Sequence, residues 1–165
     1  MDIDYCLLFL LVVNSPKDKT KKGKLLSLIN PELLKDLHLE TCIAFDVETT
    51  GLTPKTEEVI QFSAVKFING EKDEELNIVC NPGKPNHPFI VELTRIDDTM
   101  FENEPAFVER KEEILAFFAD YPLIAHNARF DVSFLEEKFG EALENPIIDT
   151  LDLSRIFLYY LPDRK

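Results

Sequence analysis

Thr41-Cys42-Ile43-Ala44-Phe45-Asp46-Val47-Glu48-Thr49-Thr50-Gly51-Leu52 is the stretch on which the reading of this chain turns. Its first eight residues are β-rich. Strand side chains alternate between faces, so Ile43, Phe45 and Val47 fall on one side and Ala44, Asp46 and Glu48 on the other. Two carboxylates then point the same way, a few ångströms apart. Like charges that close resist joint ionisation unless a cation lies between them, and an oxygen-only donor set selects Mg²⁺ or Mn²⁺ rather than Zn²⁺. The strand runs into a polar turn, Thr49-Thr50-Gly51-Leu52, where backbone N–H groups and hydroxyls can meet a ligand. An Asp-x-Glu pair alone also describes a solvent-facing strand of a plain structural domain.

A second acidic centre sharpens the choice. In Ala125-His126-Asn127-Ala128-Arg129-Phe130-Asp131 a strand runs out into a loop and a helix begins, with Asp131 in its first turn, where the helix dipole favours the ionised carboxylate a metal ligand needs. Three carboxylates from two places in the chain would hold a pair of metal ions ~4 Å apart, one activating water and the other stabilising a leaving 3′ oxygen.

Working outward, Val59 to Ile68 is a second apolar stretch, and Asn69-Gly70 is a strong hairpin signal leading to a third strand around Leu76 to Cys80. The first three strands therefore form an antiparallel meander. From Pro88 the pattern turns helical, with a short helix Phe89 to Leu93 and a longer one from Pro105 to Ala119 burying Phe107, Ile114, Leu115 and Phe118. Leu123 to Ala125 is a brief strand, Arg129 to Phe139 a helix closed by Gly140, Ile147-Ile148 another strand, and Leu151 to Tyr160 a last helix that Asp149 would cap. The fold class is α/β, a mixed sheet with helices packed on it.

Residues 1–40 read as an N-terminal extension before a domain of residues 41–165. The extension holds an apolar segment, Tyr5 to Val13, that lacks the features of a signal peptide. A Lys-rich linker, Lys17 to Lys24, and a short helix from Asn30-Pro31 follow. With 165 residues, 45% of them hydrophobic, the chain has room for one core. No apolar run reaches the ~20 residues that span a bilayer, so no membrane partner is expected. Eighteen Lys+Arg against 31 Asp+Glu leave a net charge of −13, the wrong sign for long-range attraction to phosphate, so any contact with nucleic acid is local. Three cysteines with no C-x-x-C pair argue against a disulfide framework or zinc site and fit the reducing cytoplasm.

The two acidic segments resemble the first and second motifs of the DEDD superfamily of 3′ to 5′ exonucleases, in its DnaQ-like branch. Glu92-Leu93-Thr94-Arg95-Ile96 is similar to the Glu-Leu-Thr-Gly-Ile segment of Gram-positive replicative polymerase exonuclease domains and of helicase-joined exonuclease domains, with Arg95 replacing glycine. Ile148-Asp149-Thr150-Leu151 resembles the strand end that follows the second motif there. The resemblance implies a ribonuclease H-like fold and hydrolysis of a DNA 3′ end, single-stranded or frayed, to nucleoside monophosphates. It implies Asp46 as ligand of both ions, Glu48 of one and Asp131 as a further ligand. It further implies a substrate surface of Thr49 at the terminal sugar, Thr50 and Gly51 in the turn, Leu52 against the terminal base, Phe130 near the penultimate base, and His126 and Asn127 along the strand's path. On the residues alone, Leu52 and Phe130 pack as readily as they bind, His126 suits a structural hydrogen bond, and His38 and His87 carry no assigned role.

The family completes its site with a His followed five positions later by an Asp, and no histidine follows His126 here. The general base that motif supplies is worth about 10²–10⁴-fold, so the chain is expected to be weakly active or inactive alone. The open readings are the front part of a longer exonuclease, a shortened relative, or a chain completed by a partner such as a polymerase or helicase that supplies the missing helix. Without that helix, apolar surface on the Asp46 and Glu48 face is expected to lie open. The alternative from another class is a non-catalytic module with a degenerate nuclease fold that binds a nucleic-acid end or a polymerase.

Overall fold

The structure is a computed structural model that describes residues 31–157. The apolar segment and Lys-rich linker of the extension, and the end of the last helix, lie outside those residues. A short helix α1 (Pro31–Asp36) precedes strands β1 (Thr41–Thr49), β2 (Val59–Ile68) and β3 (Glu71–Val79). Asn69 and Gly70, at φ 52° and 82°, make the β2–β3 turn, whose tight geometry asks for positive φ at both positions. Then come α2 (Pro88–Thr94), α3 (Asp98–Phe101), a 3-10 turn Phe107–Arg110, α4 (Lys111–Phe118), β4 (Leu123–Ala125), α5 (Ala128–Phe139), β5 (Ile147–Asp149) and α6 (Thr150–Phe157).

The sheet order is β3-β2-β1-β4-β5. β1 pairs antiparallel with β2, as β2 does with β3, whereas β4 is parallel to β1 and β5 to β4. The antiparallel meander plus parallel strands is the mixed α/β sheet that the sequence pattern predicts.

One face of the sheet carries the main core. Ile43, Phe45 and Val47 meet Phe62 and Ala64 of β2, Phe107, Ile114 and Phe118 from the following helical turns, and Phe134, Leu135 and Phe139 of α5. The Phe118 ring stands edge-on to Phe45 at 5.3 Å and to Phe62 at 5.7 Å, and each such buried ring contributes about 1.5–3 kcal/mol. The opposite face buries Cys42, Ala44, Val65, Phe67 and Ile124, with Leu39 and Ile148 packed on them. That face does not lie open as the sequence leads one to expect.

Two helices depart from the sequence pattern. The single helix expected from Pro105 to Ala119 divides, because Ala106 is still extended at φ −67°, ψ 153° and the first turn is of 3-10 type, with Arg110 at φ −92°, ψ 0° joining it to α4. α3 goes unseen in the periodicity because it is four residues long; the Asp97 carboxylate starts it by accepting the Thr99 N–H at 2.9 Å. α5 ends as expected, at Gly140 in the left-handed region with φ 71°.

Candidate active site

β4 is short, and it pairs with β1 only through Ile43 with Leu123 and Ala44 with Ile124. After Ala125 the chain leaves the sheet, and the N–H of Val47 further along β1 donates instead to Oδ1 of Asp131, 3.0 Å away. A helical carboxylate thus finishes the edge of the central strand at the residue between Asp46 and Glu48. Asn127, left-handed at φ 61°, ψ 45°, turns the chain into α5 and sets Asp131 in the first helical turn. Asp46 and Glu48 are half-buried and Asp131 is only 2% exposed.

Burial dominates the electrostatics of these groups. It pushes the Asp46 carboxyl up to about 6, with the Glu48 charge adding to the effect. Burial likewise pushes Asp131 up to about 8, reinforced by Asp46 and Glu48 and opposed by the Val47 N–H. Carboxylates that raise one another's proton affinity are stabilised by a cation, and an all-oxygen set fits a hard divalent ion. Among the described residues no three His, Cys, Asp or Glu side chains are gathered into a finished cage. The fit rests on donor chemistry and convergence.

The three acids line one cleft of about 840 Å³ together with Thr49 to Leu52, His126, Asn127 and Phe130. Every sequence-predicted site residue therefore borders the same space. Their side chains do different things in it. Leu52 is 83% exposed and packs on nothing in the core. Phe130 is half-buried against Phe134, with ring centroids 5.0 Å apart. The Thr49 hydroxyl donates to the Gly51 carbonyl at 2.6 Å. Thr50 donates to Glu57 Oε2 at 2.5 Å and accepts from the Glu58 N–H at 3.0 Å, so its hydroxyl is committed to the turn. Lys84 holds Glu57 at 2.9 Å and Lys138 holds Glu58 at 2.8 Å. Gly51 presses on this brace, and a Cβ there would lie 2.9 Å from Glu57 Cγ.

His126 and Asn127 are exposed. His126 Nδ1 lies 3.0 Å from Thr150 Oγ1, whose proton goes to the Ala125 carbonyl at 3.2 Å. The shared hydroxyl oxygen then accepts from Nδ1–H, which in the neutral ring leaves Nε2 as the acceptor. Asp149 accepts the N–H of Leu151 at 2.8 Å, capping α6 as the sequence predicts, and also that of Asn127 at 3.0 Å.

Sequence reasoning did not find the far wall. His87, whose ring nitrogen accepts from the Phe89 N–H at 3.2 Å and so starts α2, lines the cleft with Phe89, Ile90, Leu93 and Thr94. Phe89 and Leu93 are each 63% exposed. Their signal was an apolar pair on a short helix with nothing yet to pack on, legible only through the resemblance of Glu92 to Ile96. The Glu57 and Glu58 brace had no signal beyond the glycine itself.

With this geometry in view, comparison with known proteins gives a consistent result. Residues 43–164 match the family model RNase_T, described as exonuclease. The DNA polymerase III PolC-type protein of Bacillus subtilis (strain 168) is 41% identical over 128 residues, 74% of this chain and 9% of that protein. This chain thus spans a small part of the curated relatives it matches. Among solved structures, exonuclease X in complex with 5′ overhanging duplex DNA superposes with a TM-score of 0.55 at 22% identity, over 74% of this chain and 66% of that one. A product-bound exonuclease I superposes at 0.65 and 20% identity, over 75% of this chain and 33% of that one. These structures share the ribonuclease H-like fold expected from the sequence.

Proposed function

The chain belongs to the exonuclease family described by the RNase_T model, and from that premise we propose that it is a divalent-metal-dependent 3′ to 5′ exonuclease domain acting on DNA ends. The observation that carries this reading is the convergence of Asp46, Glu48 and Asp131 on one cleft, with Asp131 bonded to the backbone between the other two. Those three side chains would hold Mg²⁺ or Mn²⁺. When bound, a pair of such ions supplies an activated water and a stabilised leaving 3′ oxygen.

The rest of the cleft positions a strand end. Leu52, Phe89 and Leu93 offer exposed apolar surface to the terminal bases, a sequence-tolerant contact of the kind single strands favour. Thr49, Thr50 and Gly51 keep the turn in shape, so that Leu52 projects from a rigid base. Phe130 supports the next base, and His126 and Asn127 border the path of the strand. A replicative polymerase is the proposed partner, given its PolC-type relatives, and the unpaired thiols Cys42 and Cys80 suit the reducing cytoplasm.

The test uses a 5′-labelled single strand with Mn²⁺. Stepwise shortening of the labelled strand from its 3′ end, lost in Asp46→Ala, together with a Mn²⁺-induced rise in melting temperature, supports the reading. A wild-type chain that shows neither effect refutes it. A second reading is a non-catalytic module that binds a nucleic-acid end or a polymerase. Its mark is metal-independent binding that survives Asp46→Ala and Glu48→Ala.

A further inference from the structure

The cleft is lined by three carboxylates and, among the described residues, by no lysine or arginine, in a chain whose net charge is −13. Divalent ions held by the carboxylates would offset charge only at the 3′ end itself, so the phosphates farther along a strand are repelled unless cations stand at the rim. Most cations of the described residues are already engaged: Lys66, Lys72, Lys84, Arg110, Lys111, Lys138 and Arg155 are all in ion pairs. Lys35, Lys55, Arg95 and Arg129 remain without such a partner among the described residues. Two of these four adjoin the cleft in the chain. Arg95 directly follows the lining residue Thr94, and Arg129 directly precedes the lining residue Phe130. Both are exposed.

Each also sits where the fold itself disfavours it. Arg95 caps α2 in the left-handed region, at φ 63°, ψ 18°, a conformation that costs any residue with a Cβ and that glycine adopts freely. Its charge at the C-terminal end of a helix offsets only part of that cost. Arg129 is the second residue of α5, so its positive charge lies at the positive end of the helix dipole. Local stability explains neither arginine. A guanidinium, by contrast, matches phosphate oxygens with two parallel donors.

We propose that Arg95 and Arg129, each exposed and one residue along the chain from a lining position, are the phosphate contacts of this domain and hold the backbone of a single strand while its 3′ end lies among the carboxylates. The assignment rests on the exonuclease reading above and names the part of the substrate, the sugar-phosphate backbone, that its acidic surface otherwise repels. It also gives the departure from glycine at position 95 a function.

The experiment is fluorescence anisotropy of a 5′-fluorescein oligothymidine with hydrolysis-resistant phosphorothioate 3′ linkages, titrated with the full chain in Mg²⁺ at a series of salt concentrations. Arg95→Gly and Arg129→Gln should each lower the slope of log K against log salt by about 0.7 and weaken binding about fivefold at 0.1 M salt. The double variant should lose about 25-fold. Lys35→Gln, which removes an equally unpaired cation from α1, should change neither quantity. Arg95→Gly should melt no lower than the wild type, which separates lost contact from lost folding. Unchanged slopes in both arginine variants, or an equal loss in Lys35→Gln, overturn the assignment and leave the exonuclease reading standing. No binding by the wild-type chain overturns both.

Discussion

Replacing Asp131 by asparagine isolates the cost of the charge at the centre of the cleft. Asparagine keeps an oxygen for the Val47 N–H, which Asp131 Oδ1 now meets at 3.0 Å, but removes the ionisation. In the folded wild type, burial first and then the neighbouring Asp46 and Glu48 raise this carboxyl from 3.8 to about 8. Between those values the folded chain keeps a proton that the unfolded chain releases, so stability falls as pH rises, by at most about 1.4 kcal/mol per pH unit. The group's full contribution is present below its unfolded value and is lost as pH climbs through its folded one. At pH 7 the gap is about three pH units, which sets an upper limit of about 4 kcal/mol on the gain from Asp131→Asn. Urea unfolding at pH 5, 7 and 8.5, with and without Mn²⁺, reads this directly. Without metal the variant should be more stable than the wild type at pH 7, and the margin should widen between pH 5 and 8. With Mn²⁺ the wild type should recover, because the ion takes over the compensation of charge, while the variant should respond little. Asp131→Ala, which also orphans the buried Val47 N–H, should fall below Asp131→Asn by about 1–3 kcal/mol. Parallel stability curves for wild type and Asp131→Asn across that pH range refute the reasoning, as does an equal response to Mn²⁺.

Three further outcomes follow from the packing around the site. Phe118→Ala removes a ring with no exposure that touches both Phe45 and Phe62, and should cost about 3–5 kcal/mol in urea unfolding. Gly51→Ala drives a Cβ to 2.9 Å from Glu57 Cγ; it should cost about 1–3 kcal/mol, and much less when made together with Glu57→Ala, a coupling that a double-mutant cycle measures. Gly140→Ala meets no atom within 4 Å but must hold φ at 71°, so thermal unfolding should show a loss of about 1 kcal/mol from backbone strain alone, most of it recovered by Gly140→Asn.

What the sequence made legible divides along the distance over which each feature is determined. Alternation in Ile43 to Glu48, the Asn69-Gly70 turn, the Gly140 stop and the Asp149 cap depend on residues within a few positions of one another, and each appears in the structure where the sequence places it. The features missed are those that need a partner far along the chain. Nothing in Thr50 or Gly51 announces Glu57, since the brace depends on a turn folding back until a carboxylate fills the space a glycine leaves. Phe89 and Leu93 look like the buried side of a short helix until the structure exposes them opposite Leu52. Asp131 combines both kinds. Its place in the first turn of α5 is a local property that the sequence carries, but its partner is decided by the length of β4. Because β4 stops at Ala125, the Val47 N–H has no strand to meet, and the carboxylate that satisfies it is thereby fixed beside Asp46 and Glu48. A longer β4 would satisfy that N–H through the backbone and displace Asp131 from the cleft. On this argument the shortness of the strand is as much a part of the site as the acids themselves.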